Sequence, residues 1–125
     1  TSIGFINCAR SVVHWDEERG RRQVERLRRI AREAAMQSRR LWLPEVLDIV
    51  PVAEAARNPC CAIAEPNGAD DLVEVDAVLI GPEGGFTPDE LALVARRVSL
   101  SDHVLRVETA ALVAVIMLTP RHELD

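Results

Sequence analysis

Ile80-Gly81-Pro82-Glu83-Gly84-Gly85-Phe86, with Leu105-Arg106-Val107-Glu108-Thr109-Ala110 about twenty residues farther on, decides how this chain is read. A strand-like run, Val73–Ile80, empties into a loop with three glycines and a proline. Glycine lacks a Cβ and tolerates positive φ, so such a loop lets a ligand come close to backbone. The second stretch opens an apolar helix, Thr109–Leu118. Two backbone-rich loops at the ends of buried strands are what an open α/β site needs to hold a small ligand.

Outward from that centre, the chain alternates strand and helix. Ile3–Ile6 reads as a short strand and Asn7–Gly20 as loop. From Arg21 to about Arg39, Val24, Leu27, Ile30, Ala31, Ala34 and Ala35 form one apolar stripe at helical spacing. Leu41–Leu43 is a short extended run stopped by Pro44, and Pro51–Arg57 is a brief helix with proline in its first turn. Cys60–Ala64 and Val75–Ile80 read as buried strands. Thr87-Pro88-Asp89-Glu90 is a capping box that starts a helix running to about Arg97. Val98–Leu100 is a strand, and a polar tail follows the last helix. This order predicts an α/β fold with a mostly parallel sheet and flanking helices.

Charge is divided along the chain. Residues 1–62 carry 11 Arg against 8 Asp and Glu, while residues 63–125 carry 4 Arg against 12, for a net charge of −5. The segment Arg19–Arg40 holds 9 Arg opposed only by Glu25 and Glu33, and there is no lysine anywhere. Arginine forks onto phosphate and stacks on bases, so this segment could meet RNA; the alternative is a solvated helix face. Trp15 and Trp42 lie beside arginines and could stack on bases, although core or dimer packing is the favoured reading. The three cysteines lack zinc spacing and read as buried reduced thiols, which suits a reducing cytoplasm. No metal is expected, because His14 and His103 are isolated. No run of about 18 apolar residues is present to span a membrane, and no signal peptide is visible. The length suits one domain. The chain starts at Thr1 and enters a strand-like run at once, as a piece of a longer protein would.

The glycine loop is neither a Walker A motif nor a GxGxxG fingerprint, which disfavours a diphosphate cofactor. An adenosine moiety held by backbone groups fits better. Glu83 either accepts a hydrogen bond from a ligand or caps neighbouring amides. Thr109 and Glu108 suit a helix start as cap and dipole partner. Arg106 is expected to pair with Glu108, Glu83 or a substrate phosphate, since an unpaired buried arginine is costly.

Taken together, Arg10-Ser11-Val12-Val13, Ala34-Ala35-Met36-Gln37-Ser38-Arg39, Pro44-Glu45-Val46, Ile80–Phe86 with Glu90, and Val104–Ala110 resemble the SPOUT (trefoil-knot) RNA methyltransferases. Within that superfamily they are similar to the RsmE-type enzymes, which methylate N3 of a uridine in 16S ribosomal RNA. The resemblance covers about Arg10 to Leu118. It implies a C-terminal trefoil knot, an exception to ordinary chain rules, in a methyltransferase domain spanning 1–125. The family's N-terminal PUA-like domain and first catalytic-domain helix are absent from the sequence given.

The same resemblance implies S-adenosylmethionine as cofactor, held by Glu65, Ile80, Gly81, Pro82, Glu83, Gly84, Gly85, Leu100, Ser101, Val104, Leu105, Glu108, Thr109 and Ala110. It implies an obligate homodimer, ribosomal RNA of the small subunit as partner, and a cytoplasmic enzyme. Arg10, Gln37, Arg39 and Arg40 are the RNA-binding candidates, and Glu83 and Arg106 the catalytic ones. A carboxylate could take the uracil N3 proton, and an arginine could stabilise the charge developing on O2 and O4. Ser101 stands where the family has a glycine, and is penalised there if the position needs positive φ. The alternatives are a non-catalytic RNA-binding or dimerisation module of the same fold, and a methyltransferase acting on another rRNA or tRNA position.

Overall fold

In a computed structural model, residues 1–119 are described; the expected polar tail, at 120–125, lies outside them. The contacts gather the chain into two compact units. Every strand pairing between elements is parallel, as α/β alternation predicts. It is distributed over three small sheets rather than one continuous sheet.

The first unit comprises Thr1–Asn7 and Val13–Pro51. Strand β1 (Ser2–Ile3) pairs with β3 (Glu45–Val46), and β2 (Ile6–Asn7) pairs with β4 (Val50–Pro51). Between them runs α1 (Glu17–Gln37). The single strand expected over Ile3–Ile6 is therefore two two-residue strands, and Leu41–Leu43 is bend and coil, with pairing delayed past Pro44. Helix α1 starts four residues before the expected Arg21. Asp16 is its N-cap, accepting the Arg19 N–H at 2.7 Å, and Glu17 and Glu18 sit where the helix dipole favours anions. Val24 and Ala35 are buried, and Leu27 and Ala31 are half-buried on the same stripe. The helix closes at Ser38, whose hydroxyl donates to the Ala34 carbonyl at 2.7 Å. Arg39 and Arg40 then donate their N–H groups to the Met36 and Ala35 carbonyls, which puts Arg39 in the left-handed region at φ 53°. Glycine usually fills that place.

The second unit comprises Cys8–Val12 and the residues from Val52 onward. It contains α2 (Val52–Ala55), β5 (Cys61–Ala64), β6 (Ala77–Leu79), α3 (Pro88–Leu91), β7 (Arg97–Val98) and α4 (Val107–Leu118). The sheet order is β6-β5-β7. Central strand β5 is an unbroken apolar run whose Cys61, Ala62 and Ile63 are buried, as a strand covered on both faces must be. Ile63 faces Leu79 on one side and Arg97 on the other. Val98, Phe86, Val94, Ala110 and Ala114 complete this core.

Four expectations need correcting here. Strand β6 is only Ala77–Leu79, because Leu72–Val75 forms a turn with Glu74 at φ 59°. Helix α3 stops at Leu91 instead of Arg97, and β7 begins at Arg97 and ends at Val98. Pro51 lies in β4, so α2 begins after it. Thr109 does not cap α4; Arg106 holds the N-cap position and makes no side-chain capping bond.

Candidate functional site

Because β5, β6 and β7 are parallel and adjacent, the loops that follow them leave the same edge of the sheet. This is where an open α/β sheet binds ligands. A cavity of about 360 Å³ lies among those loops. The first loop contributes Ala64, Glu65 and Pro66; the second contributes Ile80, Gly81, Pro82, Glu83, Gly85 and Phe86. The third contributes Ser99, Leu100, Ser101 and His103–Val107, and α4 closes the wall with Ala110. The volume falls in the range of small-ligand sites, roughly 300–1,000 Å³.

The second loop has two sides. On the inner side, a Cβ placed on Gly81 would stand 3.0 Å from the Phe86 ring. That residue is a glycine because Phe86, 5% exposed, packs against its backbone. Gly85 turns the chain at φ +73°, a conformation that penalises any Cβ-bearing residue. On the outer side, Gly84 lies against Arg10, whose Nη1 donates to the Gly84 carbonyl at 3.1 Å and the Phe86 carbonyl at 3.3 Å. Thr87 and Glu90 make the expected capping box directly after the loop.

Glu90 is the one buried charged residue among those described. Its Oε1 accepts the Thr87 N–H at 2.9 Å and its Oε2 the Ala9 N–H at 3.1 Å. Burial pushes its carboxyl up, but those amide bonds, the Thr87 hydroxyl and the Arg10 charge outweigh it and hold the group below its ordinary value. Burial, with the Glu90 charge nearby, pushes the Cys8 thiol up against a lowering bond from Ser11. Burial also raises Cys61. All three cysteines are free thiols.

The sequence-expected residues divide in space. Glu65, Ile80, Gly81, Pro82, Glu83, Gly85, Leu100, Ser101, Val104, Leu105, Arg106 and Ala110 all line the cavity. Gly84, Glu108 and Thr109 sit on the same segments without lining it. Glu83 and Arg106 are exposed at the cavity, and neither side chain makes a hydrogen bond or ion pair among the described residues. The expected Arg106 pairing with Glu83 or Glu108 is therefore not formed. The burial cost that motivated it does not arise at an exposed position. Ser101 is not at positive φ. Its Oγ accepts the His103 N–H at 3.1 Å and its carbonyl accepts from the Ser99 hydroxyl at 2.8 Å, so the loop accommodates serine without left-handed strain.

Phe86, Ser99, His103 and Val107 also line the wall, although none of them is among the individual ligand contacts expected from the sequence. The glycine at position 81 was the available signal for a ring nearby. Of the RNA candidates, Gln37, Arg39 and Arg40 are exposed at the end of α1 and Arg10 belongs to the second unit. Arg28 is occupied structurally, with bonds to the Val46 carbonyl, Glu25 and Asp48 at 3.0–3.1 Å. Trp42 is 83% exposed, so it does not pack in the core of its own unit. Among the described residues no group of three or more His, Cys, Asp or Glu side chains is placed to hold a metal. No helix there is long and apolar enough to cross a membrane.

Comparison with known proteins bears directly on this site. A family model described as an RNA methyltransferase domain matches residues 1–119. The ribosomal RNA small subunit methyltransferase E of Mycobacterium bovis is 33% identical over 127 residues, covering 86% of this chain and 48% of its own length. The Bacillus subtilis protein of that name is 28% identical, covering 95% and 55%. Among solved structures, the ribosomal RNA small subunit methyltransferase E of Neisseria gonorrhoeae, bound to S-adenosyl methionine, superposes with a TM-score of 0.72 at 30% identity, over 91% of this chain and 51% of that one. A Legionella pneumophila protein in complex with the bound cofactor SAM gives a TM-score of 0.78 at 28% identity, over 90% and 52%. The chain spans about half the length of the curated relatives it matches.

Proposed function

The chain belongs to the RNA methyltransferase domain family, and from that premise we propose that it is the catalytic domain of an S-adenosylmethionine-dependent enzyme that methylates N3 of a uridine in small-subunit 16S ribosomal RNA. The observation that carries this reading is the cavity at the ends of β5, β6 and β7, built from the glycine loop and the Leu-Arg-Val-Glu-Thr-Ala stretch. A single methyltransferase domain over the whole chain, working in the cytoplasm where its ribosomal substrate is made, follows from the same premise.

The residues fit the cofactor. The loops present backbone at Gly81 and Gly85, apolar side chains at Leu100, Val104 and Leu105, and no lysine that would select a diphosphate. Together with Glu65, Ile80, Pro82, Ser101 and Ala110 these would hold the adenosyl group. S-adenosylmethionine supplies an electrophilic methyl group on sulfonium sulfur. Glu83, exposed at the rim with both oxygens unengaged, accepts the N3 proton of uracil. Arg106 donates to the O2 or O4 oxygen where negative charge develops, from an N-cap position beside the α4 amides. The rest of the rate comes from holding the base in line with the methyl group. Gln37, Arg39 and Arg40 bind the RNA backbone.

Two further features complete the proposal. The expected trefoil knot is consistent with β7 returning to the opposite side of β5 from β6 before the last loop and α4. Helix α4 is apolar almost all round, and Leu112 and Ile116 are 67% and 69% exposed. A helix of that pattern is buried on more than one side, and a second copy of the chain is the cover we assign.

The deciding experiment gives the full-length protein labelled S-adenosylmethionine and small ribosomal subunits from cells lacking the enzyme. The expected result is one N3-methyluridine in the 16S RNA. Cofactor binding with label on ribose or on another base of the 16S RNA overturns the substrate, and absence of cofactor binding by calorimetry overturns the enzyme.

A further inference from the structure

The family resemblance places Arg10 among the RNA contacts. The geometry around it points elsewhere. A single guanidinium nitrogen, Nη1, donates to the carbonyls of Gly84 and Phe86, 3.1 and 3.3 Å away. These two carbonyls bracket Gly85, the residue whose φ of +73° turns the loop. The arginine stem lies along the loop as well: a Cβ on Gly84 would come within 3.1 Å of the Arg10 Cβ, tighter than ordinary contact. Gly84 lines no part of the cavity, so the close approach of Arg10 accounts for a glycine there that the ligand site does not. The short segment carrying Arg10 is itself fastened. The Ala9 N–H donates to Glu90 Oε2 at 3.1 Å, and the Cys8 N–H donates to Ser11 Oγ at 3.2 Å.

We propose that Arg10 is a positioning residue that braces the glycine loop from its outer side and thereby sets the affinity of the cavity for an adenosyl ligand, rather than contacting RNA phosphate. The physical argument concerns order. The loop from Ile80 to Phe86 has no pairing of its own to a sheet, and its inner wall is formed by Gly81, Gly85 and the Phe86 ring. With both carbonyls tied to a charged donor the turn at Gly85 is set before a ligand arrives. Without them, ligand binding must order the turn and its affinity falls accordingly. The two Nη1 bonds commit that nitrogen to the loop and leave only Nε and Nη2 of the guanidinium to meet any other acceptor.

The inference rests on the adenosyl reading of the cavity, and the test separates the two. In the full-length protein, Arg10→Ala and Arg10→Lys are compared with wild type in three measurements: calorimetric affinity for S-adenosylmethionine, the salt dependence of RNA binding, and amide hydrogen exchange of residues 80–86 without ligand. For Arg10→Ala the expected results are about tenfold weaker cofactor binding, faster exchange in the loop, and an unchanged salt slope. Arg10→Lys keeps the charge but has one ammonium in place of the planar fork, and restores cofactor affinity only in part. An RNA salt slope lower by about 0.7 with cofactor affinity and exchange unchanged makes Arg10 a phosphate contact and overturns the proposal. Unchanged exchange and affinity together overturn it too. If wild type binds no S-adenosylmethionine, the adenosyl reading has failed, and the exchange measurement alone decides whether Arg10 braces the loop.

Discussion

The long helices of the two compact units put different groups into solvent. The first buries a narrow apolar stripe, Val24 to Ala35, and turns its arginines outward from a 21-residue helix. The second ends in a 12-residue helix that exposes Leu112, Val115, Ile116 and Met117, while the same unit buries the carboxylate of Glu90. On α1 the charged face outside and the apolar stripe inside leave an open valence toward polyanions, although Met36, Leu41, Trp42 and Leu43 at and beyond its C-terminal end are also exposed. An apolar helix left outside is incomplete, and only another apolar surface completes it. One chain thus carries two kinds of unfinished surface, and the difference assigns them different partners.

The sharpest way to break that contrast is to charge the second helix. Leu112→Glu with Ile116→Glu places two carboxylates where a homodimer would bury leucine and isoleucine. Each side chain is worth roughly 1.5–3 kcal/mol when buried, so the dimer dissociation constant should rise at least about a hundredfold. Light scattering should then give a mass halved at micromolar concentration. Wild type that is already monomeric at tens of micromolar removes the premise.

Within the second unit two carboxylates, Glu90 in α3 and Glu83 in the glycine loop, offer a smaller test. Glu90 accepts two backbone N–H bonds and completes a capping box, so Glu90→Ala should lower unfolding free energy by about 2 kcal/mol. Glu83 is exposed and unengaged, and Glu83→Gln should shift stability by less than about 0.5 kcal/mol while sharply slowing methyl transfer. Urea midpoints and single-turnover rates check both. Equal stability losses would mean that burial does not distinguish them.

In the first unit, Arg39 combines an RNA assignment with a left-handed backbone that favours glycine. Arg39→Gly should raise stability by up to about 1 kcal/mol and weaken RNA binding several-fold, with a salt slope lower by about 0.7. Stability rising with no change in RNA affinity would leave Arg39 strained for no purpose the charge explains, and would return α1 to a solvated face.

These contrasts were unequally legible in the sequence. The capping box Thr87-Pro88-Asp89-Glu90, the strand at Cys61–Ala64 and the cavity loops follow from local rules, because glycine, proline and caps act within a few residues. Element lengths did not follow. Asn7–Gly20 reads as loop, yet Glu17–Gly20 belong to α1 and Gly20 is buried within it, because Asp16 caps the helix upstream. Val73–Ile80 is strand-like in sequence, but only the residues beside β5 pair, and Glu74 turns the chain instead. The roles of Arg10 and Arg106 were least legible. Arg10 meets Gly84 across 74 positions of sequence, which no periodicity encodes. The pairing expected of Arg106 presumed burial that the fold does not impose.

The smallest effect is a pH dependence that tests how Glu90 is held. Its folded carboxyl titrates below its ordinary value, so the folded state binds the Glu90 proton less readily than the unfolded chain does. Stability from this group is therefore fully present above the unfolded value, 4.5, and is lost as pH falls through the lower folded value. Glu90→Gln keeps the shape and one acceptor oxygen, but it cannot titrate, and its amide nitrogen, a donor, can satisfy neither of the two backbone N–H groups that Glu90 serves. The stability gap between wild type and Glu90→Gln should be constant from pH 7 to about 5.5 and shrink below pH 4.5, read as urea midpoints. Growth of the gap on acidification would mean that burial outweighs the Thr87 and Ala9 bonds. The fastening of the Arg10 segment to α3 would then be an uncharged hydrogen bond rather than a carboxylate one.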